Sequence, residues 1–167
     1  VVVVAVLGGV LLLAGVVGGV IYRQTLKTDI ANWRTQLAAA LDAGTVTPAT
    51  TYLDTGSILV GGATIQNWNQ EPWGVQDMIG CLQHSLNVCM ATLSTQMGAG
   101  IFYSYMNNFG LGQLTGVDLA GEAAGRLKIP GDSDWYPVDL ATNAFGQGVT
   151  TTPLQIMMAA SSIANKS

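Results

Sequence analysis

Charged side chains are scarce in this sequence. Asp, Glu, Lys and Arg make up 10% of the 167 residues, whereas they make up about a quarter of an ordinary soluble domain. Six basic residues face ten acidic ones, which gives a formal net charge of −4. Because nucleic-acid binding requires a basic surface, this composition excludes a nucleic-acid partner. Part of the deficit comes from an apolar N-terminal run, and the remainder indicates a domain surface covered by partners.

Histidine and cysteine are also rare. The sequence holds one histidine, His84, and a metal site needs more ligands than that, so we expect no metal and no cofactor. We interpret His84 as a surface residue or as a support for other side chains. The two cysteines, Cys81 and Cys89, could pair in an oxidising compartment. We favour the alternative, in which they are two small buried apolar residues.

The longest apolar run lies at the N-terminal end. Residues 1–21 include no charged side chain. About 20 such residues suffice to cross a bilayer, and backbone groups in lipid must pair within a helix. We therefore predict a transmembrane helix over residues 1–22, with membrane lipid as a partner. A secretory signal peptide, which has a shorter apolar core and a cleavage site, and a buried core helix are the alternatives.

Small residues recur within this run at a spacing of four. Ala14 and Gly18 form one such pair, and Gly15 and Gly19 form another. Pairs of this kind let two membrane helices approach closely. They predict a contact with other integral membrane subunits, although glycine is also common in membrane helices without any such role.

Behind this run, the pattern predicts a mostly helical chain. Residues 23–44 read as a helical connector that ends at Gly44, and residues 45–167 form a single domain. Residues 45–56 read as a loop, and the Gly61-Gly62 pair predicts a short β-hairpin between residues 57–60 and 63–67. Further helices are predicted over residues 75–83, 88–97 and 101–109, and from Pro153 onward with Thr152 as N-cap. The expected fold class is mainly α: one transmembrane helix and a small helical domain with one hairpin.

Three motifs occur in a fixed order along this domain. They are Ser85-Leu86-Asn87 at the start of a helix, F-G-L-G-Q-L-T-G at residues 109–116 with Gly121-Glu122 after it, and N-A-F-G-Q-G at residues 143–148 with T-P-L-Q at 152–155. Together they resemble the transpeptidase domain of class B-like penicillin-binding proteins over about residues 37–165. The resemblance implies the helical subdomain of that fold, on the extracytoplasmic side of a bacterial cell membrane.

The resemblance also implies a catalytic apparatus that this sequence does not carry. Members of the family use a serine and a lysine in an S-x-x-K motif, one helical turn apart, together with a K-T/S-G strand. Counting back from Leu41, the serine and lysine positions fall at about Ile30 and Trp33, and neither side chain can serve. The sequence ends at Lys166-Ser167, before that strand is expected. We therefore predict a degenerate, truncated domain with no catalytic residue, which is not an enzyme.

The retained motif residues have less specific interpretations. In an intact site Ser85 and Asn87 would relay a proton and bind substrate; here we interpret them as holding a turn through capping and local hydrogen bonds. With them, the loop of Gly146, Gln147 and Gly148 is a candidate peptide-binding surface. Asp118 and Glu122 could form a carboxylate pair, but we favour a role in loop structure.

These observations predict a non-catalytic, membrane-anchored accessory or scaffolding subunit of a larger membrane complex. Two alternatives remain open. The chain could be part of an active peptidoglycan D,D-transpeptidase, or it could be a module that binds peptidoglycan peptides through Ser85, Asn87 and the loop at residues 146–148.

Overall fold

The computed structural model describes residues 35–118 and 120–165. Within those ranges no helix combines the length and apolarity needed to cross a bilayer. The predicted transmembrane helix of residues 1–22, its small-residue pairs, and Ile30 and Trp33 all lie outside the described residues. The predicted fold class is wrong, because the described part is a mixed helix and sheet structure. It contains helices and six strands, and the strands form three two-stranded antiparallel sheets.

Helix α1 enters the described chain at residue 35 and is helical to residue 42. Ala39 and Ala40 are fully buried on it. Gly44 ends the helix as predicted: its φ is +68°, and the Thr45 N–H donates to the Ala40 carbonyl at 2.9 Å. This six-to-one bond around a left-handed glycine is a common helix stop.

One pair of strands joins neighbours in the sequence, and the other two pairs join strands that are separated by other elements. Strands β2 (Ser57–Val60) and β3 (Ala63–Gln66) form the predicted hairpin, with Val60 opposite Ala63. Strand β1 (Thr51–Asp54) pairs with β4 (Gly74–Asp77), so the predicted loop at residues 45–56 and the start of the predicted helix at residue 75 are wrong. That pairing spans the hairpin, and a local pattern does not show it. Strands β5 (Arg126–Leu127) and β6 (Val149–Thr150) form the third sheet.

Four further helices complete the described fold. Helix α2 (Met78–Gln83) is capped by the Asp77 carboxylate, which accepts from the Gly80 N–H at 2.7 Å. Helix α3 (Asn87–Asn108) is interrupted at Gly98, whose φ of 76° and ψ of 157° are not helical. Its two parts match the two helices predicted there. Helix α4 (Pro137–Ala144) was not predicted, and α5 (Pro153–Asn165) begins at the proline as expected.

The core is built around α3. Leu86, Met90 and Phe102 are fully buried and belong to a cluster that also draws on α1, β3, α2 and α4. Because each fully buried side chain of this size contributes about 1.5–3 kcal/mol, α3 is fixed firmly along its length. The turn that leads into α3 is therefore attached to the helix around which the core is built.

Candidate functional site

Ser85 lies in the turn between α2 and α3, in an unusual backbone conformation. We call this turn, which holds Ser85, Leu86 and Asn87, the S-x-N turn. Its φ is +56°, in the left-handed region where a side chain costs roughly 1–2 kcal/mol. The Leu86 N–H donates to the Cys81 carbonyl at 3.1 Å, which closes the same six-to-one pattern that Gly44 closes after α1. Ser85 thus occupies a position at which glycine is the usual residue, and it does so at an energetic cost.

The Ser85 hydroxyl is available to a ligand. The residue is half-buried, and among the described residues its side chain has no hydrogen-bond partner. In particular, no lysine, histidine or carboxylate from the described part of the chain is bonded to it. A serine hydroxyl needs an adjacent base to become a nucleophile, so the turn offers a hydrogen-bonding group rather than an activated one.

Asn87 is held by a contact distant in sequence. Its side-chain Nδ2 donates to the Gln66 carbonyl at the end of β3, at 3.1 Å. The N-terminus of α3 is capped by another residue: the Val88 N–H donates to Oδ1 of Asn67 at 3.2 Å. The predicted local capping by Ser85 and Asn87 is therefore wrong in detail, since the last residue of β3 and the residue after it supply both contacts. Sequence reasoning did not assign this cap to Asn67, because a cap from 21 positions away has no local signal.

A disulfide encloses the turn. Cys81 on α2 and Cys89 on α3 are bonded, with Cα atoms 6.0 Å apart, and both are buried. The prediction of two unpaired cysteines is wrong. The turn brings two positions eight residues apart within disulfide range, which the spacing alone does not reveal. The bond and the β3 contacts fix Ser85 and Asn87 from opposite sides.

An aromatic group adjoins the same turn. The Trp73 and His84 rings stack with centroids 4.2 Å apart at 26°. The indole N–H of Trp68 donates to the His84 carbonyl at 3.3 Å, while 68% of Trp68 remains exposed. His84 is therefore a support for two tryptophans, in agreement with one of its two predicted roles.

The loop of Gly146, Gln147 and Gly148 is shaped by tight backbone conformations. Gly146 and Gly148 have φ of +89° and +97°, and the Gln147 N–H donates to the Thr142 carbonyl at 3.0 Å. A Cβ at residue 148 would lie 2.8 Å from Oδ1 of Asn143. Within the described residues no hydrogen bond joins this loop to Ser85 or Asn87. The two parts of the predicted peptide-binding surface are thus each preformed, but they are not in hydrogen-bonded contact.

A buried polar network anchors that loop to α3. Lys128 Nζ lies 2.5 Å from Asp139 Oδ1, and Asn143 Nδ2 donates to the Tyr103 hydroxyl at 3.1 Å. The Trp135 indole N–H donates to the same hydroxyl at 2.9 Å. Burial raises the pKa of Tyr103 above its ordinary value, so the phenol remains neutral and accepts both bonds. The network orients α4 relative to α3.

Glu122 closes the loop between Thr115 and itself through hydrogen bonds from Thr115. One carboxylate oxygen accepts from the Thr115 N–H at 2.7 Å and also from the Thr115 hydroxyl. These hydrogen bonds hold the pKa of Glu122 below its usual range. Asp118 is exposed and is not bonded to it, so the structure gives Glu122 the loop role that we favoured. Across residues 35–118 and 120–165, no group of three His, Cys, Asp or Glu side chains is arranged to hold a metal ion.

Comparison with known proteins identifies the relatives of this domain. The family model for the penicillin binding protein transpeptidase domain matches residues 35–167. Stage V sporulation protein D of Bacillus subtilis is 38% identical over 130 residues, covering 77% of this chain and 20% of its own length. Peptidoglycan D,D-transpeptidase MrdA of Acinetobacter baumannii is 32% identical over 134 residues, covering 75% and 20%. The chain therefore spans about a fifth of the length of these relatives.

Solved structures show the same likeness in three dimensions. Penicillin-binding protein 3 from Mycobacterium tuberculosis, complexed with ampicillin, superposes on this chain with a TM-score of 0.72 at 33% identity. The match covers 81% of this chain and 29% of that one.

Proposed function

This chain belongs to the penicillin-binding protein transpeptidase family, and from that membership we propose that it is a non-catalytic accessory module of peptidoglycan synthesis. In this role the domain contributes its shape and its surface to a larger extracytoplasmic complex. Acyl transfer would be performed by other members of that complex.

The observation that carries this proposal is the chemistry of Ser85. Its hydroxyl has no basic partner among the described residues, and the Asn87 amide is held by the Gln66 carbonyl. In the sequence, the positions expected for the nucleophile and its lysine are Ile30 and Trp33. Because covalent catalysis requires an activated nucleophile, these features support a domain that keeps the family shape without its reaction.

The disulfide supports an extracytoplasmic location. Structural disulfides persist in oxidising compartments and are rare in the reducing cytosol. Cys81 and Cys89 are the two cysteines of the sequence, and their bond is buried beneath the S-x-N turn. An oxidising compartment would let this bond form and remain.

Covalent labelling with a fluorescent penicillin tests the non-catalytic role. We expect no label on the purified chain after denaturing electrophoresis, while penicillin-binding protein 3 from Mycobacterium tuberculosis, solved with ampicillin, is labelled beside it. A Ser85→Ala variant is run in parallel. Label that survives denaturation would contradict the proposal, and its loss in the variant would assign it to Ser85.

A second candidate function is non-covalent binding of peptidoglycan stem peptides. It is favoured by one observation: a side chain with a free hydroxyl is retained at φ +56°, where glycine would be less strained. Strain of this kind persists where the surrounding structure enforces it, often at ligand sites. The preformed turn would offer the Ser85 hydroxyl to a peptide carbonyl or carboxylate.

Calorimetric titration with a free stem pentapeptide tests this second candidate. Ser85→Gly removes the hydroxyl and relieves the backbone, so it weakens binding without unfolding the domain. Losing one hydrogen bond of about 1 kcal/mol would lower affinity roughly fivefold. Ser104→Ala, an exposed serine of α3, is the matched control. Equal affinity in Ser85→Gly and wild type would exclude the turn as the binding site.

A further inference from the structure

We propose that Trp68 forms a sugar-stacking subsite beside the S-x-N turn, which takes an uncharged amino-sugar ring of a peptidoglycan glycan strand. This inference rests on the second candidate function, peptide binding at Ser85. It adds a distinct ligand chemistry, the carbohydrate, and a residue that the candidate peptide site does not include.

Trp68 is exposed and yet fixed in direction. Its side chain keeps 68% of its surface accessible, whereas its indole N–H is engaged by the His84 carbonyl at 3.3 Å. A tryptophan that is tied at its polar edge presents its apolar ring to solvent in one orientation. Tryptophan, which combines a large apolar ring with a polar N–H, is enriched at binding interfaces.

The support beneath Trp68 is itself rigid. The His84 ring stacks on Trp73 at 4.2 Å, and the Trp73 indole N–H donates to Asn69 Oδ1 at 3.4 Å. Trp68 and Trp73 therefore both contact His84, one through its carbonyl and one through its ring. An aromatic platform that is ordered before binding loses little conformational entropy when a ligand stacks on it.

The position of the platform identifies its ligand. His84 directly precedes Ser85 in the chain, so a peptide at the Ser85 hydroxyl lies next to Trp68. In peptidoglycan the stem peptide is joined to a sugar ring, and the axial C–H groups of a pyranose pack flat on an aromatic ring. A single polymer can thus place its peptide at Ser85 and its sugar on Trp68.

Two polar side chains suited to a sugar lie close in the sequence to Trp68 and His84. Gln70 and Gln83 are exposed, and neither side-chain amide is hydrogen-bonded to another described residue. They lie two positions after Trp68 and one before His84. An apolar ring together with amides that have no partner in the protein matches a ligand that has an apolar face, hydroxyls and an acetamido group.

The test compares three probes on the full chain by calorimetry: a disaccharide-pentapeptide, the same pentapeptide without sugar, and chitotetraose. We expect Trp68→Ala to weaken binding of the disaccharide-pentapeptide and of chitotetraose about tenfold, and to leave the free pentapeptide unchanged. Trp68→Phe keeps a ring but loses the N–H, so we expect its affinity for the two sugar-bearing probes to lie between those of wild type and Trp68→Ala. Tyr136→Ala removes an aromatic side chain that is 62% exposed and is the control.

The outcomes separate this inference from the function on which it rests. If Trp68→Ala leaves both sugar-bearing probes unchanged, or weakens all three probes equally, the subsite is overturned. If chitotetraose binds through Trp68 while the free pentapeptide does not bind, the sugar subsite stands and peptide recognition by Ser85 fails. If the pentapeptide binds and the sugar adds no affinity, Ser85 recognition stands and the subsite fails.

Discussion

The side-chain amide of Asn67 donates to both carboxylate oxygens of Asp54, at 2.9 and 3.0 Å. Both residues are buried. Asp54 also accepts from the Tyr52 hydroxyl at 2.5 Å, and burial together with this carboxylate raises the pKa of Tyr52. Because Asn67 Oδ1 accepts from the Val88 N–H, one side chain joins β1, β3 and the start of α3. The S-x-N turn is thus positioned by buried contacts from residues outside the turn itself.

Replacement of Asn67 by alanine should destabilise the domain strongly. It leaves the buried Asp54 carboxylate without its amide donor and the Val88 N–H without its cap, so we expect a loss of about 2–4 kcal/mol in the free energy of unfolding. Urea denaturation measures this loss. Gln66→Ala, an adjacent exposed side chain, is the control and should change stability by less than about 0.5 kcal/mol. Similar values for both variants would show that the network carries little energy.

Replacement of Ser85 by glycine should raise stability. Glycine adopts φ +56° without steric conflict, although it loses more entropy on folding, so we expect a net gain of about 0.5–1 kcal/mol. Ser85→Ala keeps the strain and should show no gain. The two variants are compared by the urea midpoint at constant m-value. A loss of stability in Ser85→Gly would mean that the hydroxyl makes a stabilising contact.

Removal of the disulfide should destabilise the domain by a predictable amount. For a closed loop of this length, chain entropy gives about 2–3 kcal/mol, so Cys81→Ala/Cys89→Ala should unfold at correspondingly lower urea. The bond itself is checked by alkylation under denaturing, non-reducing conditions. Since both cysteines are paired, no alkyl group should be added until a reductant is present. Alkylation without reductant would contradict the bond.

Glu122 should make stability depend on pH in the acid range. Hydrogen bonds from Thr115 lower its pKa in the folded state, so the folded protein holds the carboxylate ionised more strongly than the unfolded chain. This contribution is complete above the unfolded pKa of about 4.3, and it is lost as pH falls through the lower folded pKa. We therefore expect wild type to exceed Glu122→Gln in stability at pH 7, and the difference to close as the pH falls below the folded-state pKa of Glu122. If the stability difference between wild type and Glu122→Gln widened on acidification, it would contradict a lowered pKa of Glu122 in the folded state.

The sequence predicted features that depend on neighbouring residues. Gly44 ends α1, the Gly61-Gly62 pair turns the β2–β3 hairpin, and Pro153 begins α5, because caps, tight turns and proline act within a few positions. The order of the motifs was enough to indicate the family. The chemistry of Ile30 and Trp33, which can act neither as nucleophile nor as base, is likewise a property of the sequence itself.

Tertiary structure alone decided how the candidate site is held. The β1–β4 pairing, the Cys81–Cys89 bond and the cap from Asn67 each join positions that the fold brings together. No periodicity records them, because each contact depends on the path of the chain between its partners. The same is true of Ser85, whose residue type suggested a cap. Its left-handed backbone and free hydroxyl appear only once α2, α3 and the end of β3 have fixed the turn from three sides.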